Sequence, residues 1–307
     1  MFLTTASMVA LLLLYALAGF LLAKSKLVRS EAIPAFAKVL LYVCQPALTL
    51  YSFSKAEFSK ELLINMGIFF LITFLGQLLI LAVAYPFLRK KSRENISYRI
   101  LHISLVLSNC GFFGVPVSEV LFPEMKEAAL YCMTFSLGFN IICWTAVMTI
   151  VTRDLKYIKP RQVFLNPSTL SFAFAFLLLI FGVKLPDLLS DSVSVIGRFA
   201  TPLCMLILGM RLGYTELRKV FVGVLQYVAV AVNQIAVPLL IFLALLIIPI
   251  DPAMKKLAYV LFACPVASNV LNFAELCGEG QENAASNVLL GTIFSVLTMP
   301  LMVLLIN

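Results

Sequence analysis

Apolar runs of about twenty residues follow one another along the whole chain: 2–23, 33–54, 62–88, 98–122, 127–152, 168–184, 192–213, 220–250, 254–277 and 283–306. A helix needs roughly 20 apolar residues to cross the hydrocarbon of a bilayer. Within that hydrocarbon backbone N–H and C=O groups must be satisfied by the protein itself, and continuous apolar runs of this length read as helices. The expected fold class is an all-α polytopic membrane protein with ten transmembrane helices. Composition agrees: 62% of the 307 residues are hydrophobic and 12% charged, against about 45–50% and about 25% in soluble domains. The first run begins at Met1, has no basic flank before it and is too long for a signal-peptide core, so it reads as a retained span.

The net charge of +8 raises nucleic acid as a partner, but its distribution excludes that reading. Lys24, Lys26 and Arg29 follow the first run; Arg89, Lys90, Lys91, Arg93 and Arg99 the third; Arg153, Lys156, Lys159 and Arg161 the fifth; Arg211, Arg218 and Lys219 the seventh. The alternate loops carry only Lys55, Lys60, Lys126, Lys184, Lys255 and Lys256. Short basic loops stay in the cytoplasm, which places both termini outside. The loop "CGEGQEN" after the ninth run has no basic residue. The seven cysteines lie in or at the ends of runs with no CxxC spacing, which argues against a disulfide framework or a metal site and for small apolar packing residues. One histidine and the lack of a GxSxG elbow, an HExxH pair or a Walker lysine argue against an enzyme.

A single offset of 156 residues relates the two halves. It brings "EAALYCMTFSLG" over "NAASNVLLGTIF", Pro46 onto Pro202, Asn109 onto Pro265 and Pro116 onto Asn272. The halves are 1–152 and 168–307, joined by a short cytoplasmic connector, 153–167. Five spans per half is an odd number, so the second half enters the membrane from the opposite side. The expectation is a 5+5 inverted repeat with broken fourth and ninth spans meeting near the midplane.

Those breaks, "LVLSNCGFFGVPVSEVLF" (105–122) and "LFACPVASNVLNFAEL" (261–276), carry the functional expectation. A broken helix frees backbone polar groups, so it must face protein or a wet cavity. Half-helix N-termini facing that cavity carry partial positive charge and form an anion site without a lysine or arginine. An asparagine amide donates to a carboxylate and is cheaper to bury than a cation. Asn109, Gly111, Pro116, Pro265, Asn269 and Asn272 are therefore the expected substrate-binding residues, with Gln45, Pro46, Thr201 and Pro202 on the facing side, either lining the path or packing at the two proline kinks. No metal ligand is expected.

"SNCGFFGVP", "ACPVASNVLNFAE", "LILGMRLG" and "LLGTIFSVLTMPLMVLL" resemble the corresponding segments of the auxin efflux carrier family, which includes plant PIN-type auxin carriers and bacterial malate and malonate permeases. The resemblance covers the whole chain. It implies ten spans with crossing fourth and ninth helices, the architecture also found in bile-acid symporters. It implies a homodimer built on scaffold spans one, two, six and seven, with spans three to five and eight to ten moving as an elevator. It adds Asn140 as a substrate-facing amide, the alternative being ordinary interhelical hydrogen bonding. Plant members often have a long connector, and PIN carriers an acidic and a basic residue in span three; here the connector is short, and Thr73 and Gln77 align with those positions. A small bacterial carboxylate suits this chain better than auxin.

The expected function is a secondary carrier moving a small organic anion across the cell inner membrane without a cofactor. A proton- or sodium-coupled symporter of a larger amphipathic anion and a passive anion channel are the alternatives. Lys38 and Arg198 lie close enough to span ends to snorkel, Arg198 alternatively serving as counter-ion. Glu119 and Glu275 read as helix-end residues, and His102 as a solvated interfacial residue or, alternatively, a proton-coupling one.

Overall fold

The computed structural model describes residues 2–306, apart from the side chains of Leu217 and Lys219. The two termini expected outside, Met1 and Asn307, and the Lys219 side chain counted among the inner basic residues thus lie outside the described residues. The described chain is helical. Seven helices are long and apolar enough to cross a membrane: α1 (Phe2–Lys24), α2 (Ser30–Ser54), α3 (Lys60–Leu88), α6 (Ala128–Thr152), α8 (Asp187–Tyr214), α9 (Val224–Leu246) and α12 (Gln281–Ile306). The run at 98–122 is two helices, α4 (Ile96–Val106) and α5 (Gly114–Leu121); the run at 254–277 is α10 (Pro252–Phe262) and α11 (Asn269–Cys277). The sixth run forms the shorter α7 (Pro167–Ile180), after connector helices at Leu155–Tyr157 and Pro160–Phe164.

Local chemistry sets these boundaries. Ser59 caps α3 by accepting from the N–H of Leu62 at 2.9 Å, Asn95 caps α4 through Ser97 at 2.8 Å, and Asp251 caps α10 through Ala253 and Met254. Each supplies the side-chain oxygen that the orphan N–H groups of a first turn require. Gly278, at φ +72°, ends α11 in the left-handed region, where a Cβ is penalised. Pro46 and Pro202 do not break their helices. Pro46 follows a π-helical turn, Leu40–Cys44, and Pro202 lies within an uninterrupted α8.

α1 packs along α8, α8 against α2, and α2 against α7. A second set of contacts joins α3 to α4 and α6, α4 to α12, and α12 to α9 and α11. Between apolar helices in lipid, close backbone approach substitutes for the hydrophobic effect. Gly209 and Gly19 let α8 and α1 meet backbone to backbone: a Cβ on Gly209 would overlap the Ala16 carbonyl oxygen, and one on Gly19 the Leu206 carbonyl. All seven cysteines are free and six are buried.

Gly209→Ala is therefore expected to lower the melting temperature of the purified protein sharply, since overpacking against backbone costs about 1–3 kcal/mol. Gly67, in α3 with nothing within 4 Å of an added Cβ, is the control. Gly67→Ala should leave the melting temperature unchanged or raise it, because alanine is the better helix former by about 1 kcal/mol.

Candidate functional site: a cavity at two paired helix breaks

The gaps between α4 and α5 and between α10 and α11 lie against each other. Ser108 and Val266 form an antiparallel bridge. The Asn109 N–H donates to the Pro265 carbonyl at 2.8 Å, and the Ala267 N–H to the Leu107 carbonyl at 2.7 Å. Pro265 has no N–H to return to Asn109. The Asn109 carbonyl instead accepts from Gly114 at 3.0 Å and Phe113 at 3.2 Å, which starts α5. Two of the freed N–H groups are thus satisfied across the crossing and others within their own turns, as a membrane interior demands. The N–H groups of Phe112 and Asn269 find no acceptor among the described residues.

Beside this crossing is a cavity of about 840 Å³, within the range of small-molecule sites, roughly 300–1,000 Å³. Its mouth is at Ser30, Pro34 and Lys38 of α2 and at Arg161, Gln162 and Asn166 of the connector; its inner wall includes Asn109, Gly111, Met133, Asn140 and Asn269. Two π-helical turns, Leu40–Cys44 and Cys143–Val147, contribute Leu41 with Tyr42 and Cys143 with Trp144 to its wall.

The sequence-expected residues divide into two groups. Asn109, Gly111, Asn140, Asn269, Asn272 and Gln45 line the cavity. The Asn109 side chain is 8% exposed, and no protein group bonds its amide or that of Asn269 among the described residues. Asn140 donates to the Ser136 carbonyl in its own helix at 2.9 Å. Gln45 donates to the Ser168 hydroxyl. Pro116, Pro265, Pro46, Thr201 and Pro202 are not on the cavity wall. The prolines shape backbone, and the Thr201 hydroxyl donates to the Phe112 carbonyl at 2.7 Å, tying α8 to the first break.

Two side chains differ from the sequence reading. Arg211, grouped there with the loop cations, lies inside α8 because that helix continues to Tyr214. Its guanidinium reaches the cavity wall, donates to the Asn272 side-chain oxygen at 3.3 Å and stands 3.7 Å from Glu275. Its place within "LILGMRLG", directly after an apolar run, was the available signal. His102 is not a solvated interfacial residue: α4 turns it inward, where it is 3% exposed with its Nε2 unpartnered. Arg198 does not reach the cavity. It donates to the Tyr51 hydroxyl at 3.0 Å, beside Glu119 and Lys55. Among the described residues no group of three or more His, Cys, Asp or Glu is placed to hold a metal.

Apolar helices of spanning length around a cavity that carries several asparagines make this a multi-pass membrane protein. The sequence matches the family described as membrane transport protein over residues 3–303, and the chain belongs to that family, the auxin efflux carriers. No curated protein matches the sequence.

In a cysteine-free background, Asn140→Cys should react readily with a water-soluble maleimide. Thr134→Cys, on the same helix but 2% exposed, should stay unlabelled. Equal labelling of the two would place the cavity wrongly.

Proposed function

We propose that the protein is a secondary carrier of a small organic anion, a carboxylate of the malate or malonate kind, working by alternating access. The observation that carries this reading is the set of unengaged donors at the paired breaks: the side-chain amides of Asn109 and Asn269 and the N–H groups of Phe112 and Asn269. Donors grouped at half-helix N-termini favour an anion. The Arg211 guanidinium, with Lys38 and Arg161 nearer the mouth, adds a positive field that draws anions inward.

An inverted repeat accounts for the helix bounds. α4 spans 96–106 and α10 spans 252–262, the same length displaced by 156 residues, and α5 and α11 follow at nearly the same displacement. The bridge between the breaks keeps this register, since Asn109 meets Pro265. The mutual packing of α1, α2, α7 and α8 suits a scaffold for a homodimer, with the remaining helices as the moving elevator domain. The cavity opens between the basic segments at 24–29 and 153–161, so it faces the cytoplasm of the cell inner membrane in this reading. Cysteines placed at Lys91 and Lys126 should then label from the inside and the outside respectively in intact cells.

The decisive residue is Asn109. If its amide donates to the substrate carboxylate, Asn109→Ala removes a charge-assisted bond of about 1.5–3 kcal/mol. The expected outcome is a ten- to hundredfold loss of affinity, by the usual tenfold per about 1.4 kcal/mol, for the carboxylate that most stabilises the wild type in a thermal-shift screen. Asn109→Asp should bind more weakly still. Unchanged affinity in folded Asn109→Ala would remove the crossing from the substrate site.

A further inference from the structure

Two ion pairs join the helices that precede the breaks' partners to the short helices that follow the breaks. Lys55, next after the last residue of α2, pairs with Glu119 of α5 at 2.6 Å. Arg211, in the last turn of α8, stands 3.7 Å from Glu275 of α11. Both cations and both carboxylates are 156 residues apart, the offset that also relates Pro46 to Pro202 and Asn109 to Pro265. Within each pair the carboxylate follows the cation by the same 64 residues. The two contacts are thus equivalent positions of the two halves.

They are not in equivalent states. The first is closed: Glu119 also accepts from the Tyr51 hydroxyl at 3.1 Å, Arg198 donates to that hydroxyl at 3.0 Å, and Lys55 lies 4.5 Å from the Tyr51 ring centre. The second is looser: at 3.7 Å it is an ion pair without a hydrogen bond, the Arg211 guanidinium bonds Asn272 instead, and the Glu275 side chain is 50% exposed. They also lie toward opposite faces. Arg211 and Glu275 line the cavity, whose mouth is at Ser30 where α2 begins. Lys55 is at the other end of α2, about 36 Å away at 1.5 Å per residue.

We propose that these pairs are alternating latches: Lys55–Glu119 holds the far face shut while the cavity is open, and Arg211–Glu275 closes over the cavity when the far face opens. This rests on the alternating-access reading above. Substrate entering the cavity meets Arg211 while Glu275 holds it only loosely, and tightening the latch then draws α11 onto α8 behind it. In the opposite state Lys55 and Glu119 take up the looser geometry now held by Arg211 and Glu275.

The test uses two single-cysteine reporters in a cysteine-free, full-length protein. Ser136→Cys faces the cavity. Thr292→Cys is its counterpart 156 residues on and is 3% exposed, a position the far face should uncover. Glu119→Gln removes the closed latch, so labelling of Ser136→Cys should slow and that of Thr292→Cys should quicken, each by about threefold or more for a population shift of that size. Glu275→Gln should do the reverse at Thr292→Cys, slowing its labelling further. Exchanging the charges, Lys55→Glu with Glu119→Lys, should restore the wild-type pattern. Shifts of the same sign for both glutamines, or lower melting temperature with unmoved labelling, would overturn the latches. The readout needs no substrate. Correct labelling with no carboxylate bound would therefore sink the substrate reading alone, and carboxylate transport with unmoved labelling would sink the latches alone.

Discussion

The paired breaks are the contact on which the rest of the structure depends. Ending four helices inside an apolar protein exposes backbone groups that cost several kcal/mol each when unsatisfied in lipid. Two short backbone bonds, Asn109 to Pro265 and Ala267 to Leu107, bring the breaks together and meet much of that cost. Once they are joined, α5 and α11 have fixed starting points, and the asparagines of both segments converge on one region. Each break supplies an acceptor for the other's N–H, so the polar site is built by a tertiary contact.

The cavity follows from what the breaks leave open. On one side the crossing is sealed by buried Phe113 and by Thr201 bonding the Phe112 carbonyl. On the other, α2, α6 and the connector border the cavity, and polar side chains of each line it. An amide there keeps its hydration or exchanges it for a ligand, which is why Asn109 and Asn269 can remain without protein partners. The same amides in the sealed side would be buried and unpaired, a penalty of about 1–3 kcal/mol each.

Charge is arranged with equal economy of position. Arg198 and Lys55 both neutralise around Tyr51 and Glu119 at one end of the bundle. At the cavity, Arg211 is held by Asn272 with Glu275 beyond hydrogen-bonding reach, so its charge is only partly neutralised. A cation in that condition attracts anions without being locked to a carboxylate of its own.

Much of this was legible in the sequence because membrane burial leaves few solutions. Apolar runs fix helices, and the glycines, prolines and asparagines at 108–116 and 265–272 mark where those helices stop; the offset of 156 even anticipates that Asn109 lies against Pro265. What the sequence could not express is the direction in which a helical residue points once packing is chosen. His102 looked interfacial by its place near a span end, yet the rotation of α4 against α3 buries it. Arg211 looked like a loop cation, yet it lies within the last turn of α8, which points it at the cavity. The prolines at 46, 116, 202 and 265 were read as part of the site or its path, whereas they lie off the cavity wall. The chain alone determined its helices, their breaks and their pairing, since these follow from local backbone chemistry in an apolar solvent. Which side chains meet the cavity was decided by tertiary packing, because helix rotation and the height of each residue along its axis are set by the helices packed around it.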